Sequence, residues 1–445
     1  MDSKILLGAT CLLFILAGFN CDVKNYAAKA DIQKVDIGSI AKRWRNLSGE
    51  YDWDGLLDPL DVDLRSYIIH YGDRIQAILD SFISDKRSRN IGLPRYIKKH
   101  FFSKVGLVNG NPYDYEVVRY LYASTLDSRS PQYPVPPENV AGYSNWVGYV
   151  AVSTDYGSVA LGRRDIVIAI RGTTKDEEWY LKYLLELVPA SDIFGTEYNP
   201  KLQKGRYVYY VTADPGSAFN SISFRDQVLS TVRELVDKYR DEEVSITVTG
   251  HSMGGAFVTI IASDIAYNGY NKPTNQTNIA FPVTGFAIAN SPVGDEGFVK
   301  VYNTIENLHI LRIANLNDSN PDFPNSTYGY YHVGTKLVID SLQSPYLKDA
   351  INTVHQLQVY LHTIAGTQGS AGGFKLEVDR DLVLLNKALD AVKDSYNITA
   401  RWWGEKNKNF VQLDNGTWVV DIDREIDEYE PLSSIVTGKM GLCSM

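Results

Sequence analysis

Beyond residue 146 the chain alternates two apolar patterns, short continuous runs and longer runs with helical spacing. Residues 166–170 (IVIAI) are continuously apolar and mostly β-branched, as a strand covered on both faces requires. Residues 147–152, 244–249, 283–289 and 308–314 read the same way. Between them, residues 224–239 set Val228, Val232, Leu235, Val236 and Tyr239 on one stripe, and residues 256–267 form a second apolar helix. Strands alternating with helices predict an α/β fold, a mostly parallel sheet with helices on both faces. Upstream, residues 39–109 are charged and helical in pattern; within 64–82, Ile68, Ile75, Ile78, Leu79 and Phe82 share a helix face. Residues 128–139, rich in Ser and Pro, read as a loop, as does the chain around Pro112. The expected organisation is a helical amino-terminal part over 39–125 packed on the core, an α/β core over 140–420, and an acidic tail over 421–445.

The run 244–249 leads into Gly250-His251-Ser252-Met253-Gly254, and an apolar helix leaves it. A GxSxG sequence is a loose pattern by itself. Between a buried strand and a helix it is the nucleophile elbow, in which small neighbours let the chain reverse and the serine hydroxyl stands exposed. The helix after Ser252 turns its amino terminus toward the site, and the Met253 backbone N–H is a candidate oxyanion donor. A second donor is expected from the turn after residues 166–170, Arg171-Gly172-Thr173-Thr174, with Thr173 offering its N–H and hydroxyl. A plain Arg-Gly turn explains that segment equally well on spacing alone; the elbow downstream favours the donor.

A serine needs a base, and the base an orienting acid, in the chain order Ser, acid, His. Asp318 lies just past the run 308–314, where that acid belongs. Asp322 and Asp295 are rivals, each beside a turn-forming residue. Four histidines follow Ser252: His309, His332, His355 and His362. His309 precedes the acid inside a strand, and His332 begins a strand-like run. His355 stands where its segment turns into a helix and His362 in mid-helix, so His355 is the expected base and His362 a packing or supporting residue. His251 should face away from the substrate.

Bulk properties narrow the partners. The chain has 445 residues, 44% hydrophobic and 22% charged, with a net charge of −9. No basic excess is available to neutralise nucleic-acid phosphates. No phosphate loop or dinucleotide fingerprint is present, so no nucleotide is expected, and the chemistry needs neither metal nor cofactor. The three cysteines, Cys11, Cys21 and Cys443, form no zinc-type cluster. Residues 1–21 have the short apolar stretch of a secretory signal peptide or signal anchor. Six N-x-S/T sequons, at Asn46, Asn275, Asn317, Asn325, Asn397 and Asn415, agree with a secreted glycoprotein.

Taken together, the prelude YDWDGLLDPLDVDLRSYIIHYGD (51–73), YEVVRYLYA (115–123), SNWVGYVAVS (144–153), GRRDIVIAIRGTTKDEEW (162–179), GHSMGGA (250–256) and HQLQVYLHTIAGTQG (355–369) resemble the plant class II phospholipase A1 family, within the fungal-type triacylglycerol lipases. The resemblance runs from about residue 44 to 418. It implies an α/β-hydrolase fold, with Ser252 as nucleophile, Asp318 as orienting acid, His355 as base, and Thr173 with Met253 at the oxyanion hole. It also implies cleavage of the sn-1 acyl ester of phospholipids at a membrane or micelle surface. Galactolipids, triacylglycerols or acyl transfer are alternatives with the same apparatus, and a non-catalytic lipase-like signalling protein is the alternative from another class. Met253 replaces a usual Leu, a volume-conserving change. The apolar amino terminus is not typical of the family, many of whose members look cytoplasmic. Residues 184–221, long and rich in aromatics, are expected in part to cover the acyl pocket.

Overall fold

The computed structural model describes residues 37–85, 87–125, 144–276, 278–348, 353–404 and 410–421. The apolar segment 1–21, the loop expected at 128–139 and all but the first residue of the tail 421–445 lie outside the described residues.

The strands are β1 (Tyr115–Ser124), β2 (Ser144–Ser153), β3 (Arg164–Ile170), β4 (Leu187–Pro189), β5 (Lys201–Gln203), β6 (Val244–His251), β7 (Val283–Ile288), β8 (Leu308–Asn315), β9 (Thr335–Ile339), β10 (Phe410–Gln412) and β11 (Trp418–Val420). Seven of them form one sheet in the order β1-β2-β3-β6-β7-β8-β9. The pairs β1–β2 and β2–β3 are antiparallel, and every pair from β3 to β9 is parallel. The pairs β4–β5 and β10–β11 are small antiparallel ribbons. Inside the segment 39–125, expected to be helical, residues Tyr115–Ser124 instead form the outermost strand. Its β-branched and aromatic residues suit a pleated surface, and pairing along β2 satisfies its backbone.

Period-two alternation divides the sheet between two cores. Ile166, Ile168 and Ile170 join Val244, Ile246 and Val248 on one side, packed against the helices Phe224–Lys238 and Met253–Tyr267. Val167 and Ala169 point the other way, toward Tyr67, Ile68 and Tyr71 of the helix Val62–Ser81 and toward Leu357, Tyr360 and Leu361 of the helix Leu357–Gly366. Those two helices cross closely. A Cβ on Gly72 would come within 2.2 Å of Leu361 Cδ2, so any larger residue there would displace the Leu361 side chain. Asp61 caps the first of them, its carboxylate accepting from Leu64 N at 3.0 Å.

The amino-terminal ends of β3 and β6 hold a buried polar cluster. The Asp165 carboxylate accepts from the hydroxyls of Tyr71 (2.9 Å), Tyr115 (2.6 Å), Ser245 (2.7 Å) and Thr247 (2.8 Å). Arg163 lies 3.6 Å from Asp165 and donates to Ser245, Tyr67 and Tyr71. At the other end, Ile170 pairs with Gly250, His251 with Ile288, and Asn315 with Ile339, so the strands finish side by side. The loops leaving them share one rim, where ligands bind in sheets of this kind.

Candidate active site

Ser252 follows β6 with φ 57° and ψ −116°, a conformation that side chains normally avoid. The surrounding backbone makes it obligatory. A Cβ on Gly250 would sit 2.4 Å from the Gly254 carbonyl, and one on Gly254 would sit 2.3 Å from the Ile170 carbonyl oxygen. The bend is pinned to the next strand by Ser252 N–H donating to Ile288 O at 2.9 Å.

On this rim the Ser252 hydroxyl donates to His355 Nε2 at 2.9 Å. His355 Nδ1–H donates to Asp318 Oδ2 at 2.6 Å. His355 lies two residues before the helix Leu357–Gly366, on the turn that leads into it. Asp318 belongs to the turn after β8, its N–H donating to Asn315 O at 3.0 Å. The structure thus brings Ser252, His355 and Asp318 into one hydrogen-bonded line.

Three further residues serve this line, and two of them, Tyr360 and Asn320, were not read from the sequence. Tyr360, one helical turn into Leu357–Gly366, donates its hydroxyl to Asp318 Oδ2 at 2.8 Å and accepts from Asn315 N at 3.2 Å. Asn320 donates its backbone N–H and its amide to Asp318 Oδ1, at 3.0 and 3.2 Å. Burial alone would raise the Asp318 carboxyl, but the donors from His355, Tyr360 and Asn320 outweigh it and hold the group down at about 2. His251, the third, turns from the serine as expected; its Nε2–H donates to the backbone carbonyl of His355 at 2.7 Å and so holds the imidazole's own backbone. Burial, and then the neighbouring His355, pull His251 down to about 3, so it stays neutral.

The other candidates lie elsewhere. His362 is buried, its Nε2 2.8 Å from Ser344 Oγ and its ring stacked on Phe374. His332 donates to Pro321 O, and His309 pairs with Asp52. Asp295 caps the helix Glu296–Tyr302, and Asp322 ends a short 3-10 turn.

The turn after β3 comes up against the elbow: a Cβ on Gly172 would lie 3.4 Å from Ser252 Cβ. Its shape is set by a fully buried ion pair. Arg171 donates to both oxygens of Glu178 at 2.8 and 2.7 Å and to Gly172 O at 2.8 Å. Glu178 also accepts from Thr174 N at 2.9 Å and from the Tyr209 hydroxyl at 2.9 Å. Gly172, the residue before Thr173, is thereby held beside Ser252. Met253 is the first residue of its helix, so its N–H has no partner within that helix.

Part of the segment 184–221 packs on the elbow helix. Phe194, Tyr209 and Tyr210 are buried, packing on Tyr267 and Phe257 of the elbow helix. Phe219 is exposed at 38%, and further exposed aromatics stand just upstream, on the helix Asp176–Tyr183: Trp179 at 42%, Tyr180 at 68% and Tyr183 at 61%.

A mostly parallel sheet covered on both faces, with a strained serine after a central strand facing an imidazole and a carboxylate, defines an α/β-hydrolase. Residues 167–328 match the Lipase (class 3) family. Phospholipase A1-IIgamma of Arabidopsis thaliana is 44% identical over 404 residues, covering 88% of this chain and 95% of that protein. Phospholipase A1-II 1 of Oryza sativa subsp. indica is 43% identical over 399 residues, covering 88% and 98%. Among solved structures, a triacylglycerol lipase from Penicillium expansum aligns with 62% of this chain and 81% of its own at 16% identity, with a TM-score of 0.38. The chain belongs to the class II phospholipase A1 family and is a carboxylic ester hydrolase.

Proposed function

We propose that the chain hydrolyses fatty-acyl esters of glycerolipids, and in a diacyl phospholipid the sn-1 ester, through Ser252, His355 and Asp318. The observation that carries the reading is the unbroken line Ser252 Oγ–His355–Asp318, at 2.9 and 2.6 Å, mounted on the strained elbow. His355 Nε2 takes the hydroxyl proton as Ser252 Oγ attacks the ester carbonyl. The N–H groups of Thr173 and Met253 receive the negative oxygen, and the Asp318 carboxylate steadies the imidazolium. The tetrahedral adduct expels the lysolipid alkoxide, which takes the proton from His355. Water, deprotonated by the same imidazole, then attacks the acyl-serine and frees the fatty acid. Trp179, Tyr180 and Tyr183 support contact with a lipid surface beside the site.

Product analysis with a phospholipid carrying two different acyl chains tests this. Release of the sn-1 chain by the native protein, abolished in Ser252→Ala, is expected; release of the sn-2 chain alone would refute the sn-1 assignment. Passage through the secretory route is proposed as well. It is supported by the apolar run near the amino terminus and by exposed sequon asparagines at 275, 317, 325, 397 and 415. A protein from its native tissue with no glycosidase-sensitive mass would contradict it.

A further inference from the structure

Among the described residues, two cations beside the Ser252–His355–Asp318 line form no ion pair of their own. Arg206, on the helix Lys204–Val211, is 4% exposed. Its guanidinium donates to Ser291 Oγ at 3.2 Å and lies 5.8 Å from the Phe257 ring, while its Nε reaches no acceptor. Several other buried arginines are matched by carboxylates, Arg163 by Asp165, Arg164 by Glu242 and Asp155, Arg171 by Glu178 and Arg380 by Asp73, while Arg65 and Arg74 donate to backbone carbonyls instead. Lys182, half-buried at the end of the helix Asp176–Tyr183, donates to Asn320 Oδ1 at 2.9 Å and lies 5.3 Å from the Trp179 ring. The carboxylate that acts on it is Asp318, already committed to His355.

Topology puts both on the serine's rim. The strands β6, β7 and β8 are neighbours, and just past their carboxyl ends stand Ser252, Ser291 and Asn320. Arg206 therefore sits at the exit of β7 and Lys182 at the exit of β8, on the same side of Ser252. The helices carrying them touch, since a Cβ on Gly205 would lie 1.9 Å from Leu181 O. Burial lowers both groups from their ordinary values, Arg206 to about 10, and Arg206 depresses Lys182 further. A buried guanidinium without counter-charge is costly. Keeping one beside a second free cation, in a chain of net charge −9, suits an anion that arrives with the substrate.

We propose that Lys182 and Arg206 form an anion subsite that receives the phosphodiester of a glycerophospholipid whose acyl ester lies at Ser252. The proposal rests on the acyl-hydrolase reading above and adds a headgroup preference to it. Half-exposed Lys182 meets the phosphate first, with Arg206 behind it.

The test compares kcat/KM for phosphatidylcholine and for diacylglycerol of the same acyl chains in one detergent micelle. It uses the native protein and the variants Lys182→Gln, Arg206→Gln and Arg206→Lys. Active fraction is counted with a serine-directed fluorophosphonate, so that loss of folded protein divides out. The phospholipid-to-diacylglycerol ratio is expected to fall about tenfold or more in each Gln variant, the loss of a charged hydrogen-bond partner, and to recover in part in Arg206→Lys. An unchanged ratio, or a native protein inert on the phospholipid, overturns the subsite. Inorganic phosphate in the diacylglycerol assay separates the two sources of this anion. Inhibition that needs Arg206, with the lipid ratio unmoved, would assign the pair to free phosphate and overturn the headgroup proposal. Failure of the acyl-hydrolase reading is a different result, lipid cleavage surviving Ser252→Ala.

Discussion

Two buried carboxylates sit at opposite ends of the same sheet and are treated in opposite ways. Asp165, at the start of β3, is enclosed by four hydroxyl donors and Arg163, with segments from residue 67 to residue 247 converging on it. Asp318, past the end of β8, is also well supplied, by His355, Tyr360 and Asn320, but one of its donors leads onward to the Ser252 hydroxyl. The first network closes on itself and ties helix to sheet. The second ends at a group in a strained conformation on an accessible rim. Saturation marks a structural charge; a chain that ends on a reactive atom marks a working one.

Removing each carboxylate should break the comparison in its own currency. Asp318→Asn leaves the shape but supplies an amide where His355 needs an acceptor, so kcat is expected to fall about 10⁴-fold with little change in thermal unfolding. Asp165→Asn should do the reverse. It strands Arg163 in a dry interior, costing about 3–5 kcal/mol in urea unfolding, while activity per folded molecule holds. Should Asp165→Asn instead reduce kcat at unchanged stability, the two ends are not separate. A smaller effect tests the support of Asp318: Tyr360→Phe deletes one hydrogen bond to a charged group and should lower kcat about tenfold with KM nearly unchanged. The last concerns an imidazole outside both networks, and touches stability alone. Burial, and then Arg380, hold His362 down at about 3. Between its ordinary value near 6.5 and about 3, the unfolded chain binds a proton that the folded one does not, so stability falls as pH falls, by about 1.4 kcal/mol per unit. His251 and His332 act in the same direction. Unfolding of His362→Gln followed from pH 6.5 to 4 should show a shallower slope than the native protein, and equal slopes would refute the assignment.

How much of this can be read along the chain depends on distance in sequence. The run IVIAI and the elbow are local signals: β-branched apolar residues announce β3, and glycines two positions either side of Ser252 announce the bend. Asp318 and His355 were legible as neighbours of Ser252 because each stands where a strand or helix meets a loop. Tyr360 was not, since an apolar helix hides a tyrosine whose hydroxyl works on a residue 42 positions away. The Asp165 cluster and the lone Arg206 were equally silent, because charge pairing exists only after segments meet. β1 was missed for a related reason: YEVVRYLYAS has mixed burial, and its pairing with β2 is what makes it a strand.

The crossing at Gly72 carries a lesson for anyone trimming this protein. The helix Val62–Ser81 leans on Leu361, bonds through Arg65 to Ile364 O at 2.7 Å, and is clamped by Asp73 to Arg380, which also holds Gln358. It thereby props the element that presents the imidazole. A fragment cut to residues 167–328 would keep the serine and the aspartate yet lack both the histidine and its scaffold. On the proposed mechanism, an engineered minimal version would have to retain sequence from both flanks, well beyond the stretch bearing the recognisable signature.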